Sequence, residues 1–466
     1  MLFLLYLNLL LNLFHIDSSF NDELIRFLNK NLPKKTIYSI SCLSTTKNDF
    51  LVKINSDIPM IPASTNKLFT TGIALLNLGL DETIDTELYT DDENIDDNII
   101  NGNLYLKGHG DPTITTNEFL ELVNKLKIEG IKGITGNLIV DDTFFEETFY
   151  RNEWIEDENI TVPLPPISAL TVNNNTIIAT LKGSSKINRP ASIIIQEPLD
   201  YFKIINKTKT SRSKSRISAS SEFENGKEVI TIQGNLRRNS VYNLKIFISN
   251  PSMYAAHLLV KLIKENGIIF NGEIKKGTLK KFSNRICSIS KPIKDLIKPI
   301  NKNSNNFYAE HLFIILGAFY AKSYGSPFDA SQAINTYLKS INIYNPSINL
   351  VDGSGLSRKN QFSTGTLVSF LYHIYLNPLV FDEFYKSLSI PQIDGTLRHR
   401  FSNLNPPDKL RGKTGTLNGV VSLAGYVISK SGDLLIFAIN FNYTKGNQMK
   451  MRELQERIIT KIAEKF

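Results

Sequence analysis

Apolar and polar positions along this 466-residue chain repeat with different periods in different stretches, and each period predicts an element. Between 20 and 31, Phe20, Leu24, Phe27 and Leu28 share one helical face, with Asn21 and Asp22 placed to cap. TIYSISCLS (36–44) and FLVKINSD (50–57) alternate well enough to predict a pair of strands. Pro62 then interrupts the chain, and Leu68, Ile73, Leu75, Leu76 and Leu78 predict a helix behind it. From 81 to about 285 the character changes to short strands punctuated by Gly and Asp. These include GNLYLKGHGDP, ITGNLIVDDTFF, SIIIQEP, EVITIQGNL and YNLKIFIS. Helical periodicity returns in SMYAAHLLVKLIKENG and NNFYAEHLFIILGAFYAK. GVVSLAGYVISKSGDLLIFAINF predicts a hairpin of two apolar strands around a Ser-Lys-Ser-Gly-Asp turn. A closing helix puts Met451, Leu454, Ile458, Ile462 and Phe466 on one face.

Helix and strands at the start, helices and a hairpin at the end, and a different block between them predict an α/β (α+β) fold. One discontinuous domain, 20–80 with 286–466, is interrupted by an inserted β-rich region of one or two domains, 81–285. The first stretch, 1–19, reads as the apolar core of an export signal. It carries no Lys or Arg before the apolar run, Asn8 and Asn12 interrupt it, and no A-x-A cleavage string follows. The alternative is a buried or amphipathic N-terminal helix. No other stretch is apolar enough to span a bilayer. The basic run KTKTSRSKSR (207–216) shows no apolar period and reads as a solvated loop.

Composition changes this picture little. With 42% apolar and 21% charged residues the chain can bury a core. A formal net charge of +8 suits anionic surfaces, from nucleic acid to lipid headgroups to an anionic polymer. No zinc spacing, Arg-rich helix or RNA-binding aromatic string accompanies the charge, so no nucleic-acid partner is expected. Cys42 and Cys287 stand far apart, outside any CxxC or His cluster. No metal, cofactor or redox pair is expected, and a disulfide between them has only their number in its favour.

The chemistry lies in three short strings. S-x-x-K occurs four times, at Ser44–Lys47, Ser64–Lys67, Ser211–Lys214 and Ser288–Lys291, and only PASTNK opens a strong helix. One turn brings Lys67 onto the face of Ser64, and a helix start supplies free N–H groups and positive potential. A nucleophilic serine needs both a base and such stabilisation. Ser304-Asn305-Asn306 precedes an apolar helix, whereas the S-x-N matches at Ser19, Ser340 and Ser347 read as turns or caps. Lys413-Thr414-Gly415 runs into an apolar strand, whereas Lys430-Ser431-Gly432 is explained by its hairpin turn. Taken singly, each string has a structural reading. In this order they form the set shared by penicillin-binding proteins and class A β-lactamases.

VDGSGLSRKNQFS (351–363), PQIDGTLRHRF (391–401) and GHGDPTIT (108–115) narrow the choice. With the three strings, they make the chain resemble the D-alanyl-D-alanine carboxypeptidase/endopeptidase family, the class C low-molecular-mass penicillin-binding proteins, from about 30 to 445. The gap of about 240 residues between Ser64 and Ser304 is where that family carries inserted domains. The resemblance implies a serine β-lactamase/transpeptidase-like domain, an antiparallel sheet with helices. It implies that Ser64 acylates on the penultimate D-Ala, that Lys67 is the base, and that Ser304 relays a proton. Asn306 would hold the substrate backbone or the lysine. Lys413, Thr414 and Thr416 would face the terminal carboxylate, with Gly415 allowing close approach, and the N–H groups of Ser64 and Thr416 would form an oxyanion hole. Asp141 would contact the amino group of a diaminopimelate side chain; its other reading is a strand-end turn acid.

The implied partners are peptidoglycan stem peptides and, as covalent inhibitors, β-lactams; the implied location is the periplasm. Peripheral membrane contact and oligomeric state stay open. His109 stands where the family has Gly and reads as a loop residue. His311 and His399 read as core or surface residues, Trp154 as packing. Two alternatives remain: a β-lactam hydrolase on the same scaffold, although no Glu-x-x-Leu-Asn string is present, and a non-catalytic cell-wall-binding protein.

Overall fold

The computed structural model describes residues 18–150, 164–197 and 199–466. Most of the apolar stretch 1–19 and Trp154 lie outside the described residues. A five-stranded sheet is assembled from the two ends of the chain. Its order is Leu410–Leu417, Val420–Ile428, Leu434–Asn442, Ile37–Ser44, Asp49–Ile54, antiparallel throughout. Its central strands are apolar at successive positions because both faces are buried. In Leu434–Asn442, Leu435, Phe437, Ile439 and Phe441 pack against the terminal helices Ser18–Asn31 and Gln448–Lys465. Ile436 and Ala438 face the opposite core, formed with helices Lys67–Leu78, Asn306–Ala321 and Thr364–Tyr375. This is the mixed α/β arrangement expected, with the predicted hairpin at 420–442 and the predicted strand pair at its other edge.

The first helix begins at Ser18, so Asn21 and Asp22 lie inside it and do not cap it. Its inward face is Phe20, Leu24 and Leu28, while Phe27 is only half-buried and lies under Arg457. PASTNK starts as a 3-10 turn, Ala63–Asn66, and becomes α-helical at Lys67.

A second five-stranded sheet lies between the two halves, in the order Ile274–Lys276, Leu138–Asp141, Leu104–Gly108, Thr83–Thr90, Asn284–Pro292. Asn284–Pro292 pairs with Thr83–Thr90 over its whole length, and residue 286 falls inside this strand. The region is not all β. Helices Thr116–Ile128 and Pro251–Glu265 enter its core through Phe119, Leu122, Leu126, Leu258, Leu259 and Ile263. The first starts at a capping box, Thr115 with Glu118, a string visible in TTNE.

The basic run 207–216 is not a loop. Most of it belongs to strands Phe202–Ser211 and Arg216–Glu224, both paired to Lys227–Arg237. Its period is two, but Thr208 and Thr210 supply the buried face while Lys207 and Lys209 point out, so no apolar alternation marks it. Cys42 is buried in the first sheet, Cys287 lies in the second, and both are free thiols.

Candidate active site

Lys67 and Lys413 are completely buried, and each meets a serine. Lys67 Nζ lies 3.0 Å from Ser64 Oγ and donates to Asn306 Oδ1 at 2.7 Å and to the Ser354 carbonyl at 2.5 Å. Lys413 Nζ lies 2.9 Å from Ser304 Oγ and 2.7 Å from the Thr414 carbonyl. Ser64, Ser304, Asn306, Thr414 and Thr416 line one cavity of about 360 Å³, together with Leu356, Thr396, Arg400 and Arg452.

Backbone geometry holds these groups in place. Ala63 and Ser304 both sit at positive φ, 50° and 56°, conformations that a surrounding structure must enforce. The Ser64 turn is clamped from two sides. Gly415 packs so closely on it that a Cβ would stand 2.8 Å from both Ser64 N and the Pro62 carbonyl. Gly355, at φ 79°, would place a Cβ 2.0 Å from the Ala63 carbonyl. The DGSG stretch is therefore a supporting wall. Asn66 Nδ2 donates to the Asp352 carbonyl and Thr70 Oγ1 to the Gly353 carbonyl, at 2.7 and 2.9 Å. Asp352 in turn accepts from the N–H groups of Gly355 and Ser357, both at 2.7 Å.

The IDGTL string supports the Ser304 turn in the same way. Asp394 pairs with Lys302, and Thr396 Oγ1 lies 2.8 Å from Thr414 Oγ1. Asn305, not the neighbouring Asn306, caps the following helix, accepting from Tyr308 N at 3.1 Å, which leaves the Asn306 amide for Lys67.

Strand Leu410–Leu417 is the sheet edge. Gly412 exchanges both backbone hydrogen bonds with Ser389 on the outer side. In an antiparallel strand alternate residues face the same way, so Thr414 and Thr416 also turn their N–H and C=O groups outward, toward the cavity.

Burial pushes the Lys67 ammonium down to about 7, against the charges of Asp352 and Glu310, which favour its protonated form. Near neutral pH a large share of this amine is therefore unprotonated and able to accept a proton. Burial also pushes Lys413 well below its usual value, with the charge of Lys67 acting in the same direction.

Asp141 is not brought to this cavity. Its fully buried carboxylate accepts from Thr143 N and Oγ1 and from Leu279 N, and pairs with Lys107 at 3.2 Å. Burial alone would raise its pKa, but these hydrogen bonds and the Lys107 charge hold it below the ordinary value. It fastens a strand end, the alternative its sequence position offered. His311 is a core residue between the Phe307 carbonyl and Thr171 Oγ1, kept neutral by a pKa that burial lowers to about 4. His109 contacts the Asp85 carbonyl and Phe144, and His399 is exposed. Two site residues carried no sequence signal of their own. Thr396 sits in a string recognised only as a family feature, and Arg452 is one cation among several on a polar helix face, whereas Ser354 lies in the DGSGLS stretch, whose glycines suggested a turn supporting the site. Among the described residues no cluster of His, Cys, Asp and Glu could hold a metal.

A serine-lysine pair on the first turn of a helix, facing a second serine and an edge-strand lysine across a mixed α/β fold, defines an active-site serine hydrolase of the penicillin-binding class. Comparison with known proteins narrows the class. The model of the D-Ala-D-Ala carboxypeptidase 3 (S13) family matches residues 26–462, and the chain belongs to that family. It is 28% identical over 434 residues to the D-alanyl-D-alanine carboxypeptidase DacB of Haemophilus influenzae, covering 90% of this chain and 88% of that protein. It is 25% identical to the D-alanyl-D-alanine carboxypeptidase of Actinomadura sp., covering 92% and 81%. The crystal structure of penicillin binding protein 4 from H. influenzae superposes with a TM-score of 0.83 at 25% identity, covering 94% of this chain and 99% of that one. The protein is a serine-type D-Ala-D-Ala carboxypeptidase.

Proposed function

We propose that Ser64 is the nucleophile and Lys67 its base, and that the enzyme cleaves D-Ala-D-Ala termini of peptidoglycan stem peptides. The observation that carries this is the buried Lys67 amine, lowered to about 7 and 3.0 Å from Ser64 Oγ. The unprotonated amine takes the Ser64 proton as Oγ bonds to the carbonyl carbon of the penultimate D-Ala. The Ser64 and Thr416 N–H groups receive the developing oxyanion. Ser304, held by Lys413, gives its hydroxyl proton to the amide nitrogen as the C–N bond breaks and D-Ala leaves, and the proton that Lys67 took from Ser64 restores the Ser304 hydroxyl and frees the Lys67 amine. Asn306 orients Lys67. Water then attacks the Ser64 ester and releases the shortened peptide.

The substrate lies along the edge strand, pairing with the outward backbone groups of Thr414 and Thr416. A β-lactam amide entering the same place acylates Ser64. Where the leaving amine belongs to a second stem peptide, the same steps open a cross-link. Such substrates place the enzyme outside the cytoplasmic membrane, in the periplasm. No helix among the described residues is long and apolar enough to cross a membrane.

Incubation with purified peptidoglycan tests this reading. Release of D-Ala, and loss of cross-linked muropeptides, should both vanish in Ser64→Ala. Persistence of either product in that variant would exclude Ser64.

A further inference from the structure

Two arginines, Arg400 and Arg452, line the cavity beside Ser64, with Lys67 and Lys413 buried behind it, and their partners differ. Lys67 has Asp352 and Glu310 acting on it electrostatically. Arg400 is taken up by Glu456, Nε to Oε1 at 2.7 Å, and also donates to the Arg452 carbonyl at 2.7 Å. That second bond fixes the turn of helix Gln448–Lys465 on which Arg452 stands. Arg452 itself reaches the cavity and donates to Thr416 Oγ1 at 3.1 Å. It has no carboxylate partner among the described residues, because Glu456, one turn further on, is already engaged by Arg400.

We infer that Arg452 is a specificity-determining residue. It would bind the carboxylate of the departing amino acid together with the hydroxyls of Thr414 and Thr416.

Two physical points support the assignment. Arg400, the other arginine of the cavity, is paired with Glu456, and Lys413, buried behind Ser304, has its charged form disfavoured. A guanidinium stays protonated at any working pH and presents a fork of donors that matches a carboxylate. A half-buried cation without a counter-ion inside a cavity is also a seat for an anion, since closing the ion pair there offsets the cost of its desolvation. Arg452 comes from the C-terminal helix, far in sequence from the three strings, and meets the edge strand at Thr416.

The inference rests on the peptidase reading, and the test separates the two. The substrates are an acylated peptide ending in D-Ala-D-Ala and the same peptide as its C-terminal amide. In wild type kcat/KM should favour the free acid. In Arg452→Gln the acid-to-amide ratio of kcat/KM should fall about 10- to 100-fold, and Arg452→Lys should recover part of it. The ratio is internal to each preparation, so a partly unfolded variant still reports it. An unchanged ratio in Arg452→Gln, or an equal loss on both substrates, overturns the assignment of Arg452 and leaves the peptidase reading standing. Failure of wild type to form a Ser64 adduct with a penicillin overturns both.

Discussion

Ser64 and Lys67 are joined Oγ to Nζ across 3.0 Å at the point where a 3-10 turn becomes an α-helix. The lysine is completely buried and its charge is disfavoured, which is what the proposed roles of nucleophile and base require. Lys67→Ala should slow acylation about 10²- to 10⁴-fold. Lys67→Arg should be as poor, since a guanidinium does not give up its proton. Stopped-flow acylation by a chromogenic cephalosporin measures both. An arginine variant near wild-type rate would remove Lys67 as the base.

The pH profile follows from the same burial. If Lys67 is the base, its unprotonated form is the active one, and kcat/KM should climb as pH rises through about 7. The carboxylate of Glu310 favours the protonated form. Its neutral counterpart in Glu310→Gln should therefore move the acid limb to lower pH, while the amide oxygen can still accept the Ser354 N–H that Glu310 Oε1 now holds at 2.8 Å. A limb that stays put or moves up would break the link between Glu310 and Lys67.

Ser304 and Lys413 are joined by a 2.9 Å hydrogen bond, and the proposed proton relay makes them one unit. Ser304→Ala and Lys413→Ala should each lower kcat/KM by two or more orders of magnitude, and the double variant should be little worse than the poorer single one. Additive losses, measured on a D-Ala-D-Ala peptide, would show that the two residues work separately.

Gly355→Ala should weaken the fold and the site together. The new Cβ would collide with the Ala63 carbonyl at 2.0 Å, at a φ of 79° that disfavours L side chains. A loss of about 2 kcal/mol or more is expected in urea denaturation, with slower acylation because the colliding atom belongs to the Ser64 turn. An unchanged midpoint would mean that the two loops move apart freely.

Much of the site was legible because its residues sit in short strings whose order is itself informative. Ser64, Lys67, Ser304, Asn306 and Lys413 meet in space although the chain between the first and the third builds four further sheets among the described residues. The apolar hairpin and the terminal helices were legible from period alone, because each buries whole faces. Strand 202–211 was hidden because Thr208 and Thr210 supply its buried positions, and strand 216–224 because serine and alanine share its inward face with a single isoleucine, Ile217. The resemblance implied a substrate contact for Asp141, but in three dimensions its carboxylate is buried and taken up by neighbouring hydrogen-bond donors at a strand end. Arg452 was hidden for the opposite reason. Nothing near it in sequence is unusual, and only folding leaves it facing the cavity while its neighbour takes the nearby carboxylate.

Ser64 is proposed to carry the acyl group, and intact-mass spectrometry after incubation with benzylpenicillin, followed by peptide mapping, decides this. One added penicilloyl group per wild-type chain is expected, located on the peptide that contains Ser64, with no added mass on a folded Ser64→Ala variant. An adduct on any other residue, or a labelled Ser64→Ala variant, would contradict it.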